Sequence, residues 1–118
     1  MQPLKKLAVL VLAAAGSACG GGDSAAETTI AVYKQLGSLQ CTGGGASLAS
    51  LERQLAEAGI RVAAATCGLD GNAYAAVCGG PDGRIGIFDV EAQQAPLASP
   101  LGFAPLSGLP AAVRVACG

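Results

Sequence analysis

The sequence predicts an α+β domain: a mixed sheet of about four strands, in the order β-α-β-β-β-α, with helices on one face and disulfide bonds holding the fold together. Short stretches rich in β-branched residues alternate with one strongly amphipathic helical stretch, and glycine-rich turns separate them. The chain also has five cysteines but only two tyrosines, two phenylalanines and no tryptophan. A core built mainly from Ala, Val, Ile and Leu buries little area per residue, so we expect covalent cross-links to stabilise it.

The first half of the domain is predicted as a strand followed by a helix. Residues 28–33 alternate and are rich in β-branched side chains, which is typical of a strand. The glycines at 43–45 then break the chain, and we interpret them as a loop. A helix begins at Ala46 or Ser47, because leucines recur on one face at positions 48, 51 and 55. Gly59 is a natural end for this helix.

The second half is predicted as three strands, a short helix and a largely irregular tail. The strands are expected at 60–66, 73–77 and 84–90, and a Pro-Asp-Gly sequence within 79–83 predicts a hairpin between the last two. A short helix is expected at 91–100, where a proline begins or interrupts it. In the tail, residues 112–116 are predicted to be extended.

This order of elements predicts a pairing of the cysteines. A helix between the first two strands implies a right-handed parallel crossover between neighbouring strands, and the next two strands form an antiparallel meander. Four cysteines allow three pairings. Because the first two strands would end at the same edge of the sheet, this topology favours disulfides Cys41–Cys67 and Cys78–Cys117.

The N-terminus has the pattern of an export signal. Lys5 and Lys6 precede an uninterrupted apolar run at 7–15, and small residues at 16–18 lead into Cys19. The run is too short to cross a bilayer, which needs ~20 apolar residues. It has the length of the apolar region of a signal peptide.

Ser17, Ala18 and Cys19 resemble the lipobox of bacterial lipoproteins, although Gly16 stands where leucine is most common. The resemblance implies that residues 1–18 are a signal peptide and that Cys19 becomes the N-terminal residue, which carries several acyl chains, palmitate among them. It also implies an outer-membrane location on the periplasmic side, since Gly20 rather than aspartate follows the cysteine. Simple secretion with cleavage before Cys19, or a retained helix, are the alternatives.

The number of cysteines independently favours lipidation. Five cysteines would leave one unpaired thiol in an oxidising compartment, whereas a lipidated Cys19 leaves four that can pair: Cys41, Cys67, Cys78 and Cys117. Residues 20–26 are mostly glycine and other small residues that cannot pack, so residues 19–27 are interpreted as the lipidated cysteine and a flexible tether, with the domain at 28–118. We therefore expect a cell-envelope protein that is held to the membrane through its N-terminal lipid.

Composition excludes several kinds of chemistry. The chain has no histidine, so it has no Ser-His-Asp or Cys-His machinery and no imidazole metal site. It has no Cys-x-x-Cys, and disulfides are favoured over a zinc site in an oxidising compartment. Beyond residue 18 there are five basic residues (seven in all, less Lys5 and Lys6) and eight acidic ones, a net charge of −3 without a basic cluster. We expect no nucleic-acid partner, no metal and no cofactor.

The expected function is a non-enzymatic binding or accessory domain for an envelope protein or a cell-wall component. The alternative is a small carboxylate-dependent envelope enzyme, a hydrolase or isomerase built on Asp70, Asp82 and Asp89. That alternative requires two of these carboxyls in one pocket with raised pKa values. Asp70 and Asp82 each stand beside glycine in a predicted turn, where aspartate is common for structural reasons. An inhibitor or accessory subunit would instead show a contiguous exposed apolar patch.

The stretch from Leu55 to Val62, in which a helix ends and Gly59 and apolar residues follow, resembles the first half of SPOR domains. These are small peptidoglycan-binding β-α-β-β-α-β units, and the stretch lacks their aromatic–glycine strand signature. The likeness therefore concerns the fold, and it implies peptidoglycan as a partner only by analogy. The part of the chain after the signal peptide also resembles small lipoproteins common in proteobacteria, which implies no activity.

Overall fold

The structure, a computed structural model, describes residues 28–117. The predicted signal peptide, Cys19 and the tether lie outside these residues. The described part follows the order β-α-β-β-α-β-β. Its strands are β1 (Thr29–Gln35), β2 (Val62–Leu69), β3 (Arg84–Glu91), β4 (Ala104–Pro105) and β5 (Val113–Val115), and its α-helices are α1 (Leu48–Glu57) and α2 (Ala95–Ala98).

The predicted α+β class, with helices on one face and disulfide bonds, is confirmed. The predicted mixed sheet is wrong, because every pair of neighbouring strands is antiparallel and the order is β4-β1-β3-β2-β5. β3 lies between β1 and β2, which therefore are not neighbours. The physical reason is that β3 is apolar on both faces, so it takes the central position, where strands on either side pair with it.

The predicted strand at 73–77 and its hairpin are also wrong. Residues 70–83 form a loop, and β2 pairs directly with β3 across it. Apart from one tyrosine and one valine, the segment 73–77 contains only alanine, so it has little side-chain surface to pack on a sheet. The backbone groups of the loop are instead bound by residues of another loop, described below.

The helix α1 begins and ends as the sequence predicts. The Ser47 hydroxyl accepts a hydrogen bond from the Ser50 backbone N–H at 3.0 Å, which caps the helix. Leu51 and Leu55 are fully buried, and Gly59 follows the last turn with a positive φ of 83°. The second predicted helix is a run of short turns over residues 92–101 that contains α2. The predicted extended stretch at 112–116 contains β5.

The core lies between the sheet and the helices, where Phe88 and Phe103 pack edge to face with ring centroids 5.7 Å apart. The opposite face of the sheet is covered by residues 106–112 instead of by helices. These residues join β4 and β5, which form opposite edges of the sheet, so they run across Ala31 and towards Gly71. Ile85 and Ile87 are fully buried on this face.

Candidate functional site

Two loops meet at one end of the sheet, which we call the loop end. One loop (residues 36–45) follows β1, and the other (residues 70–83) precedes β3; together we call them the clasped loops. The disulfide Cys41–Cys78 joins them with a Cα–Cα distance of 5.1 Å. They are positioned by the central antiparallel pair, since β1 ends and β3 begins at this end of the sheet.

The predicted disulfide pairing is therefore wrong. The second disulfide is Cys67–Cys117, also with a Cα–Cα distance of 5.1 Å. Cys67 lies within β2 opposite Val115 of β5, so β5 brings the C-terminal cysteine to it. The pairing Cys41–Cys67 assumed that β1 and β2 are parallel neighbours, and β3 separates these two strands.

Gln40 holds the two loops together by hydrogen bonds to backbone groups. Its side-chain Nε2 donates to the carbonyl oxygens of Ala75 (2.8 Å) and Pro81 (2.9 Å), and its Oε1 accepts from the Val77 N–H (3.0 Å). Its own backbone N–H donates to the Gly80 carbonyl at 2.8 Å. A single glutamine thus supplies donors and acceptors that a neighbouring strand would otherwise provide.

The residue next to Gln40 is held in an uncommon backbone conformation. Cys41 has a φ of 72°, and it is the one non-glycine residue with positive φ among residues 28–117. A left-handed conformation costs an ordinary residue about 1–2 kcal/mol. Such a conformation persists where the surrounding contacts over-determine it, and it is found more often at functional sites. Here the Gln40 hydrogen bonds and the disulfide supply those contacts.

The carboxylate of Asp70 fixes the start of the second clasped loop through hydrogen bonds. Its side chain is only 2% exposed and accepts hydrogen bonds from Gln35 Nε2 (2.9 Å), the Asn72 N–H (2.9 Å) and the Tyr74 hydroxyl. Burial raises the pKa of Asp70, but the hydrogen bonds from Tyr74, Gln35 and Asn72 together outweigh burial and lower that pKa. The same bond to Asp70 raises the pKa of the Tyr74 hydroxyl.

Asp82 and Asp89 also have structural partners. Asp82 accepts a hydrogen bond from the Arg84 N–H at 3.0 Å. Burial raises the pKa of Asp82, but the nearby Ser38 hydroxyl and Arg84 lower it overall. Asp89 lies on the opposite face of the sheet from the helices, paired with Arg114 at 3.1 Å. The pKa values of Asp70 and Asp82 thus move down, whereas the predicted enzyme would need raised values.

The clasped loops expose apolar side chains. Leu39 and Tyr74 are exposed, and Val77 is 51% exposed although it lies next to the disulfide. Their backbone is fixed by the contacts above, so these side chains are presented in a defined arrangement. The chemistry available here is contact with an apolar surface, together with acceptance of a hydrogen bond by the Tyr74 hydroxyl oxygen, whose proton is donated to Asp70.

A second apolar feature lies near the opposite end of the sheet, where β1 begins and β3 ends. We call this the anchor end, and we call its cavity of about 430 Å³ the Ile30 groove. A smaller cavity of about 390 Å³ adjoins it at Ile30 and Ser107. The Ile30 groove is lined by Ile30, Val32, Ala92, Ala95, Pro96, Ser99, Phe103, Pro105 and Ser107.

Within residues 28–117, no group of three or more His, Cys, Asp or Glu side chains is placed to hold a metal ion. No helix of that part of the chain is long and apolar enough to cross a membrane. The four cysteines predicted to form disulfides do so, although in a different pairing from the predicted one. Comparisons with protein-family models, curated proteins and solved structures found no match to this chain.

The sequence did not reveal the role of Gln40 or of Ile30. No local signal distinguishes Gln40 from the chain's other glutamines, because its partners lie 35–41 residues away. Asp70 was interpreted as a turn residue, and it does bond its own turn at Asn72, but its contact with Gln35 of β1 has no counterpart in the local sequence.

Proposed function

We propose that this chain is a lipid-anchored domain of the cell envelope that binds a protein through the clasped loops and performs no chemistry itself. The observation that carries this proposal is that residues 70–83, which have no regular secondary structure, are fixed by a disulfide, by Gln40 and by Asp70. Loops of this length in compact domains are usually functional or disordered, and this one is held in one conformation.

Fixed loops favour binding because the entropy of ordering them is lost on folding. Each loop residue that became ordered only on association would cost about 1–2 kcal/mol of binding free energy. A disulfide and a hydrogen-bonded glutamine remove most of that cost. The loops are therefore preorganised for a partner.

The exposed side chains favour a protein as that partner. Leu39, Tyr74 and Val77 offer apolar and aromatic surface on a rigid support, the kind of surface that is typical of protein interfaces. No lysine lies in either loop, so the loops have little to attract phosphate groups. This distribution supports a largely uncharged binding surface.

Two features support the lipid anchor. The two disulfides use all four cysteines beyond Cys19, which leaves Cys19 as the odd cysteine. Disulfides are also typical of proteins exported from the cytoplasm. The lipobox-like residues before Cys19 and the glycine after it extend the proposal to the periplasmic side of the outer membrane.

Mass measurement of the N-terminus of the protein from its own envelope tests the anchor. We expect a chain that begins at Cys19 and carries acyl chains. A Cys19→Ala variant should leave the membrane fraction, because no second acylated residue replaces it. A cleaved but unmodified Cys19 would contradict the anchor and favour simple secretion.

Cross-linked affinity capture tests the binding surface. Val77→Lys places a charge on the clasped loops, and Val113→Lys is the matched control, because both valines are 51% exposed. We expect Val77→Lys to reduce recovery of the partner by about tenfold, which corresponds to ~1.4 kcal/mol. The control should retain the partner, and equal recovery by both variants would contradict the proposal.

Peptidoglycan is the second candidate partner, and the order of elements favours it. From β1 to β4 the chain follows the β-α-β-β-α-β order of the peptidoglycan-binding units that Leu55 to Val62 resembles. This likeness concerns the fold alone. Sedimentation of the protein with purified sacculi tests it, and protein that stays in the supernatant would exclude this candidate.

A further inference from the structure

The Ile30 groove lies where the chain enters the fold. The carbonyl oxygen of Thr28, the first described residue, accepts a hydrogen bond from the Ala92 N–H at 3.0 Å. Ile30 and Ala92 both line the groove. Thr28 lies nine residues after Cys19, so even a fully extended chain between them reaches only ~30 Å. A domain anchored at Cys19 therefore keeps its groove close to the bilayer.

The segment that builds one side of the groove carries no charge. Residues 92–113 contain no Asp, Glu, Lys or Arg. Lys34 contacts this segment, where its Nζ donates to the Leu101 carbonyl at 2.8 Å and lies 5.1 Å from the Phe103 ring centroid. The same Nζ also donates to Gln54 Oε1 at 3.1 Å. Residues 92–113 thus bring no charge of their own to desolvate, and Arg61 and Glu91 lie beside them at the anchor end.

Two large side chains are exposed at this surface. Ile30 is 42% exposed on the wall of the groove, and Leu97 is 53% exposed on α2, next to the groove residue Pro96. Apolar side chains in this position, beside an uncharged segment and near an anchored chain, favour contact with the interface of the bilayer over contact with water. The clasped loops lie at the other end of β1, about 20 Å away.

We infer that the Ile30 groove and Leu97 rest on the surface of the bilayer that holds the lipidated Cys19, so that the clasped loops point away from the membrane. The groove accommodates acyl chains of the bilayer at its interface. This second contact turns a single anchoring point into a fixed orientation. The inference depends on the proposed lipid anchor.

A single tryptophan tests this orientation, because the chain has none of its own. Leu97→Trp places the reporter beside the groove, and Val77→Trp, at similar exposure, places it on the clasped loops. Each full-length lipidated protein is reconstituted into phosphatidylcholine vesicles whose acyl chains carry bromine, which quenches tryptophan on contact. N-terminal mass is measured on the same samples.

We expect bromine to quench about half or more of the Leu97→Trp fluorescence and little of the Val77→Trp fluorescence, because interfacial surfaces insert ~5–10 Å into the headgroup–acyl boundary. Adding Ile30→Glu to Leu97→Trp should abolish the quenching. Quenching that persists with Ile30→Glu, or a lipidated protein in which both reporters are equally unquenched, overturns the inference alone. The latter result would show that the bilayer does not occupy the groove. An unlipidated N-terminus overturns the anchor and the inference together.

Discussion

Replacing Gln40 by alanine removes the three side-chain hydrogen bonds that hold the clasped loops to each other. These bonds go to Ala75, Val77 and Pro81, at 2.8 to 3.0 Å. A hydrogen bond contributes about 0.5–1.5 kcal/mol to stability, and the lower half of that range applies here because water can reach the freed groups. We therefore expect Gln40→Ala to lower the free energy of unfolding by about 2 kcal/mol. For a domain of this size, that change lowers the Tm by ~10 °C.

The assay is urea unfolding with both disulfides intact, followed by circular dichroism and compared at equal m-values. Gln93→Ala is the matched control, because Gln93 is exposed and its side chain has no hydrogen-bond partner among residues 28–117. The control should change the free energy of unfolding by less than about 0.5 kcal/mol. Amide exchange should also accelerate at Val77, whose N–H loses its acceptor.

If Gln40→Ala lowers the free energy of unfolding no more than Gln93→Ala does, the disulfide alone holds the loops together. The interpretation that the Gln40 hydrogen bonds stabilise the clasped loops is then wrong. Removing Cys41 and Cys78 together, with and without Gln40→Ala, separates the two contributions. Because both act on the same loop contacts, we expect the two free-energy changes to be non-additive. Partner capture should fall with the Gln40 variant even where the protein remains folded, since the loops would lose their preorganisation.

Three further predictions concern the fold. Asp70→Asn should lower the free energy of unfolding by about 2 kcal/mol at neutral pH. Because the pKa of Asp70 is lowered in the folded state, its contribution to the free energy of unfolding is fully present above the ordinary aspartate pKa and is lost as the pH falls through the folded-state value. The free energy of unfolding of the variant should therefore depend less on pH below about pH 4. Equal acid sensitivity in both proteins would contradict this prediction. Gly68→Ala should destabilise the domain by about 1–3 kcal/mol in thermal unfolding, because its Cβ would lie 2.6 Å from Ile87 Cδ1. An unchanged Tm would show that the residues packed against Gly68 can move to accommodate the added methyl group at little cost in stability. Replacing Cys67 and Cys117 together by alanine should cost about 2–4 kcal/mol, and peptide mapping without reductant, which should recover these two cysteines in one linked pair, provides the check on the pairing itself.

Several elements of the fold could be predicted because each is specified by its own stretch of sequence. β1, α1 and β3 were predicted because each has its own periodicity, and the stop at Gly59 follows from one residue. The number of disulfides followed from counting cysteines. None of these inferences required knowing what lies beside an element in space.

The predicted strand at 73–77 is wrong because no local pattern in that segment indicates which residues contact it. Its backbone groups are bound by Gln40, which is more than thirty residues away. The predicted disulfide pairing failed for the same reason, since it depended on β1 and β2 being neighbours, whereas β3 inserts between them.

The α+β class, the main elements, the number of cross-links and the lack of histidine could all be predicted from the amino-acid sequence, because composition and periodicity are properties of single segments. The central strand, the cysteine pairs, the hydrogen bonds of Gln40 and the packing of the uncharged segment 92–113 beside Ile30 become visible in the folded chain alone. Each of these is a contact between segments that are distant along the chain. Such a contact forms where burial and hydrogen bonding of both partners are satisfied together, and neither partner's local sequence specifies the other.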